Sequence, residues 1–360
     1  MAAFRQQISK RFGEGISPFS VLLWLLRIAV VVIVVWGSIG TLTSGVYSLS
    51  QWRDLMVSGL SQGSIYGLIA LGYTMVYGVL RFINFAHGEV FMSGAMIGFF
   101  VATWLDDAGI WTSASPLSLL LVFLASIITA AGITMVLERV AYRPLRGSPR
   151  LVPLITSIGA SFFLQYAFLG LFGGSQKSYP RMPMLQGKIS ILGFNVNKIQ
   201  VVVIVTAIVM MVLLYYFVER TKTGKSIRAV SEDPEIAALM GIDVNRVIVT
   251  TFAIGGIMAG VAAVLYVITF NQVSPFMGFV PGIKAFTAAV LGGIGNIVGA
   301  MLGGLLLGLV ESLGPILVLS GLGIPAPHQL KDVVAFAVLV LVLIFRPTGI
   351  LGERLAEEKA

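Results

Sequence analysis

The stretch IQVVVIVTAIVMMVLLYYFV, residues 199–218, contains no Asp, Glu, Lys or Arg. A helix rises about 1.5 Å per residue, so about 20 such residues cross the roughly 30 Å hydrocarbon core of a bilayer. The stretch reads as a membrane span. Working outward, comparable apolar blocks lie at about 21–43, 55–80, 83–103, 116–137, 151–173, 247–270, 280–296, 297–319 and 330–345. With 57% apolar and 11% charged residues, against about 25% charged in an ordinary soluble domain, the 360-residue chain has no surface suited to water alone. Its mean hydropathy of +0.95 agrees. The expectation is an all-α, polytopic transmembrane bundle of about ten spans. A water-soluble enzyme is excluded, and so is a β-barrel, whose apolar residues would alternate rather than run in blocks.

The chain lacks cysteine, which removes thiolate metal sites, disulfides and Cys nucleophiles. His87 and His328 are too few and too far apart for a zinc cluster, so no metal and no catalytic residue is expected. The net charge of +8 reads as the Lys and Arg surplus of cytoplasmic loops rather than a nucleic-acid surface. Arg139, Arg143, Arg146 and Arg150 make the 139–150 loop cytoplasmic, and 219–246 follows with Arg220, Lys222, Lys225, Arg228 and Arg246. The 104–115 loop, with Asp106 and Asp107, falls outside. The basic loop at 174–198 (Lys177, Arg181, Lys188, Lys198) is placed outside by parity, against its own charge. Arg5, Lys10 and Arg11 precede the first block, which is too long for a signal peptide. Arg27 snorkels from near its start. Ten spans put both termini in the cytoplasm.

Two runs of glycine recur every four residues, Gly59, Gly63, Gly67 and Gly295, Gly299, Gly303. Each lies on one helix face where another backbone can approach closely. One run in each half points to an internal repeat, a common transporter plan. The segment LRFINFAHGE, 80–89, sets Arg81, Asn84, His87 and Glu89 beside a helix-interrupting Gly88. It reads either as a wet cytoplasmic turn or as a re-entrant break facing a pathway. In the second reading Asn84, His87 and Glu89 line the translocation pathway or its gate, and Glu89 with Arg81 is an alternative ion pair. Lys284 and Glu311 are the other charges inside expected spans, suited to a structural ion pair.

The Gly224-Lys225-Ser226 run lacks the upstream glycine of a phosphate-binding loop, position 219 being Glu, and follows a span rather than a strand. ATP use therefore belongs to another chain. Just beyond, Asp233 can cap a short helix that opens on Pro234 and Glu235, runs through Ile236, Ala237, Ala238, Leu239 and Met240, and ends at Gly241. It is too short to cross a membrane and apolar on one side. It suits docking into a partner's groove, the alternative being a helix lying on the membrane surface.

The stretches GYTMVYG (72–78), INFAHGE (83–89), AYRPLRGSPRLVPLITSIGASFFLQ (141–165), RAVSEDPEIAALMGID (228–243) and AVLGGIGNIVGAMLGG (289–304) occur in order across about residues 51–350. In them the chain resembles the permease subunits of branched-chain amino acid ABC importers, of the LivH type. Residues 1–50 then form an N-terminal extension with one added span, 219–246 carries the loop that couples to an ATPase, and 351–360 is a cytoplasmic tail. The resemblance implies a non-enzymatic subunit of the bacterial inner membrane with no cofactor of its own. Its implied partners are a second permease chain of the LivM type, two cytoplasmic ATPases holding ATP and magnesium, and a periplasmic binding protein. It implies alternating access driven by ATP. EIAALMG (235–241) departs from the importer pattern by one residue in its spacing. Permeases for urea or short amides share the AHGE segment and are the alternative. A stand-alone carrier or channel using Glu89 and His87 is a rival that needs no docking helix. A membrane-embedded enzyme is disfavoured by the absence of Cys and of a close acidic pair in one span.

Overall fold

The computed structural model describes residues 18–352 except 150, 192–193 and 347. The basic residues before the first span, and most of the expected tail, lie outside the described residues. The chain is an all-α membrane bundle: α1 (Pro18–Ser44), α2 (Leu49–Leu80), α3 (His87–Asp107), α4 (Ser115–Leu137), α5 (Leu151–Phe172), α6 (Lys198–Arg220), α7 (Lys222–Glu232), α8 (Pro234–Leu239), α9 (Val244–Phe270), α10 (Phe279–Gly292), α11 (Ile297–Gly314) and α12 (Lys331–Phe345). Among the described residues nine helices are long and apolar enough to cross a membrane. The block expected as a tenth span, 280–296, is corrected. Its helix α10 has 14 residues, about 21 Å, short of the hydrocarbon core. The remainder of that crossing is the non-helical stretch 271–278, broken at Pro275 and Gly278.

Helices α2, α3 and α9 are buried along most of their length and form the centre, with the other long helices around them. Ser48 starts α2 with a capping box, accepting from the Gln51 amide while the Gln51 side chain accepts from the Ser48 amide. Two ends of the bundle are distinct. At one, the 174–198 segment folds as a β2–β3 hairpin (Lys188–Ile191 with Phe194–Asn197), and β1 (Lys177–Ser178) pairs with β4 (Gln272–Val273) just after α9. Trp111 donates to the Arg181 carbonyl there, so 174–198 shares an end with the acidic 104–115 loop. At the other end Arg146 bonds Asn245 and pairs with buried Glu138, tying 139–150 to the first turn of α9. Parity, not local charge, therefore matches the fold.

The glycine runs need a partial correction. Gly59 and Gly63 do meet α11, but through Gly304 and Gly308. A Cβ on Gly63 would fall 2.6 Å from the Gly304 carbonyl oxygen, and one on Gly59 2.9 Å from that of Gly308. Gly67 meets Met301. Gly299 and Gly303 face the opposite way, onto Gly292 and Ala288 of α10. Gly295 is not on the helix. It sits in the preceding turn at φ 101°, a left-handed position, with open space beside it. Its spacing matched the run only by coincidence.

The added helix α1 packs on the chain after α11. Gly37 and Gly40 lie against Val318 and Gly321, and Thr41 donates to the Ile316 carbonyl at 3.3 Å. Arg27 lies over the Trp24 and Phe345 rings, a cation–π placement that keeps its charge at the end of α12. Residues 349–352 fold back on the α10–α11 turn, with the Leu351 amide donating to the Gly292 carbonyl at 2.9 Å.

Candidate functional site

Helix α2 ends at Arg81, whose left-handed backbone (φ 55°) lets its amide reach the Tyr77 carbonyl at 2.8 Å. The Arg81 guanidinium donates to the Ser231 carbonyl at the end of α7, so the proposed Arg81–Glu89 pair is not formed. The chain then turns back into the bundle. The His87 ring lies against Gly72, where a Cβ would fall 2.6 Å from ring atom Cε1. Gly72 is eight residues before the end of α2, so His87 is about 12 Å inside that end. Asn84, His87 and Glu89 are all essentially inaccessible. The segment is a re-entrant break and not a wet turn.

The structure brings the three residues together but gives them different surroundings. Asn84 Oδ1 accepts from the Tyr142 hydroxyl at 2.6 Å and from the Ala86 amide at 3.1 Å, which holds the turn in shape. His87 stacks edge-on against Tyr73, with ring centres 4.8 Å apart. Glu89 Oε1 accepts from Gln165 at 2.6 Å and Ser161 at 3.4 Å, both on α5. Its Oε2 has no partner. Ser157, one turn before Ser161, accepts from the Phe85 amide and donates to the Ile83 carbonyl. Ser157, Ser161 and Gln165 recur every four residues in a mostly apolar helix, and that spacing is the signal by which sequence reading could have found them.

A second break mirrors the first from the opposite end. Helix α9 closes on Asn271, also left-handed (φ 54°), with its amide on the Val267 carbonyl at 2.8 Å. The chain turns inward and starts α10 at Phe279. The two re-entrant starts meet. A Cβ on Gly88 would lie 2.6 Å from the Gly278 carbonyl oxygen, and one on Gly282 would lie 3.0 Å from the Gly88 Cα. Beside this crossing is a cavity of about 310 Å³ bordered by Glu89, Tyr73, Phe85, Ile158, Phe162 and Ile283. Asn84 and His87 stand behind its wall. Non-helical backbone at such depth is tolerated where it is buried in protein or lines a cavity, and here it does both.

Neighbouring this site is an ionic network in which Lys284 and Glu311 are buried and Asp332 is half exposed. Lys284 on α10 contacts Glu311 on α11 at 2.7 Å and Asp332 on α12 at 2.6 Å. Gln62 and Tyr66 on α2 add hydrogen bonds to Glu311. The Lys284–Glu311 pair was expected. Asp332 was missed because an acid at the start of a span reads as a flank.

At the α8 end of the bundle, Asp233 Oδ1 accepts from the Glu235 and Ile236 amides at 2.8 and 2.9 Å, Pro234 occupies the first helical position, and Gly241 closes the turn at φ 82°. Ala237 is buried, while Glu235 and Ala238 are exposed and Ile236, Leu239 and Met240 project outward, Leu239 being 87% exposed. Helix α7, which the sequence reading treated as loop, supports this element, with Ile227 and Val230 buried and Arg228 paired with Glu219.

A multi-pass bundle with two opposed re-entrant helices, a cavity opening on its flank and a capped helix exposing apolar side chains has the architecture of a membrane permease subunit. The family model described as "Branched-chain amino acid transport system / permease component" matches residues 55–343, and the chain belongs to that family. The high-affinity branched-chain amino acid transport system permease protein BraD of Pseudomonas aeruginosa is 46% identical over 84% of this chain and 96% of its own length. LivH of Escherichia coli K12, with the same description, is 42% identical over 82% and 94%. A probable branched-chain amino acid transport permease of Methanocaldococcus jannaschii is 29% identical over 83% and 92%.

Proposed function

We propose that this chain is the permease subunit of an ABC importer that carries branched-chain amino acids across the bacterial inner membrane. A periplasmic binding protein delivers the substrate, and two cytoplasmic ATPases, holding ATP and magnesium, drive alternating access. The names of the relatives favour aliphatic amino acids over urea or short amides. The single observation that carries the reading is the exposed apolar face of α8. A face of Ile236, Leu239 and Met240 in water is costly unless a partner covers it, and a helix-in-groove contact to an ATPase does so. The α8 end is then cytoplasmic, and both chain termini fall on that side. Residues 1–50 form an added N-terminal span, 219–246 the coupling loop and 351–360 a tail.

The substrate path runs through the crossing of α3 and α10, with Glu89 on its wall and Asn84 and His87 fixing the break from behind. Phe162 and Phe279 at the cavity mouth are each about half exposed, so a second permease chain, a LivM-type partner, closes this flank. Rigid movement of α8 passes through α7 and α9 to the crossing. The test is Leu239→Asp with Met240→Asp. The expected result is normal membrane insertion with loss of ATPase co-purification and of substrate-stimulated ATP hydrolysis. A double variant that assembles and couples normally overturns the docking role.

A further inference from the structure

We infer that Glu89 Oε2 is the docking position for the substrate's ammonium group inside the membrane, with the aliphatic side chain held by Phe85, Ile158 and Ile283. The inference rests on the cavity being the substrate path. Glu89 is 1% exposed, and its two oxygens are treated differently. Oε1 is satisfied by Gln165 and Ser161, whereas Oε2, covered beside Gly278 at the cavity wall in this conformation, has no donor. Leaving a buried acceptor without a donor is costly, so the arrangement favours a donor that arrives with the cavity's occupant. Gln165 and Ser161 also fix the carboxylate rotamer, so little ordering is left for the moment of binding.

The rest of the cavity wall is apolar apart from Ser161 and Tyr73. A charged donor can therefore pair at one point only, and a branched aliphatic chain fills the remainder. A volume of about 310 Å³ is at the small end of small-molecule sites and admits one amino acid of this class. The first turn of α10 borders the same space at Gly278 and Phe279.

The test uses the assembled importer in lipid nanodiscs with Phe162→Cys, on a chain that has no native cysteine. Modification by methyl methanethiosulfonate is read as the intact mass of this chain. Leucine and 3-methylbutylamine should slow labelling, the amine at roughly tenfold lower concentration than the neutral 3-methylbutan-1-ol. Adding Glu89→Gln should raise the protecting concentration of leucine and amine roughly tenfold and leave 4-methylpentanoate unchanged. An alcohol that protects as well as the amine overturns the subsite without needing any Glu89 variant. So does amine protection unaffected by Glu89→Gln; in both cases the path reading stands if leucine protects. If leucine fails to protect in an importer that still transports it, subsite and path reading fall together.

Discussion

Lys284 is held inside the bundle by two carboxylates from two other helices, and its removal separates the cost of burying charge from the cost of losing contact. Lys284→Met should strand Glu311, whose Oε2 already lacks a partner. Breaking a buried pair from one side costs about 3–5 kcal/mol. Lys284→Met with Glu311→Leu should recover much of that, because neither charge is left buried alone. Thermal unfolding in detergent checks both, and a single variant as stable as the parent contradicts the ionic network. At this scale the sequence was informative where chemistry is concentrated. Four polar side chains around Gly88 marked the break at 80–89, and Lys284 and Glu311 stood out in apolar surroundings. What stayed hidden was partnership. Nothing in the local pattern says that Arg81 reaches Ser231 and Glu89 reaches Gln165, since these contacts join elements far apart in the chain.

The α2–α11 contact is made by backbone against backbone, which makes it unforgiving. Gly63→Leu would push a side chain into the Gly304 carbonyl and the Leu305 Cα, 2.6 and 2.9 Å from the first added atom. Neither can rotate away. The expected cost is at or above the roughly 1–3 kcal/mol of ordinary overpacking, read as reduced folded yield. Gly159→Leu on α5 meets nothing within 4 Å and should be near neutral. Equal yields for the two variants would contradict the packing. Periodicity revealed Gly59, Gly63 and Gly67 as a contact face, but not its partner. Gly304 and Gly308 lie on a different face of α11 from Gly299 and Gly303, and choosing between faces is a tertiary matter. Helix α10 was misjudged in length for a related reason. The turn glycines Gly293 and Gly295 sit in an apolar run, so hydropathy carried the span past the helix's true end.

Across the whole molecule, the segment at 174–198 shares an end with 104–115, while Arg146 and Arg81 gather 139–150 and α7 at the other. Gly147→Cys should be labelled only from the cytoplasm and Lys188→Cys only from outside, both being exposed positions. Labelling of both from one side would contradict the crossing pattern. Nine of the ten expected spans, and the placing of 174–198 opposite 139–150, were legible because blocks of about 20 apolar residues leave little choice in a bilayer. The opposed re-entrant starts were half legible. The first carried polar markers, whereas the second, at 271–278, is signalled only by Asn271, Pro275 and Gly278. The central claim is that substrate passes the crossing of these two starts, and blocking that point measures it. In the reconstituted importer, Phe162→Cys modified with a bulky maleimide should reduce leucine uptake to background. The same treatment of Phe163→Cys, whose parent side chain is 70% exposed and does not border the cavity, should leave uptake near that of the parent. Undiminished uptake with Phe162→Cys fully modified would contradict the account.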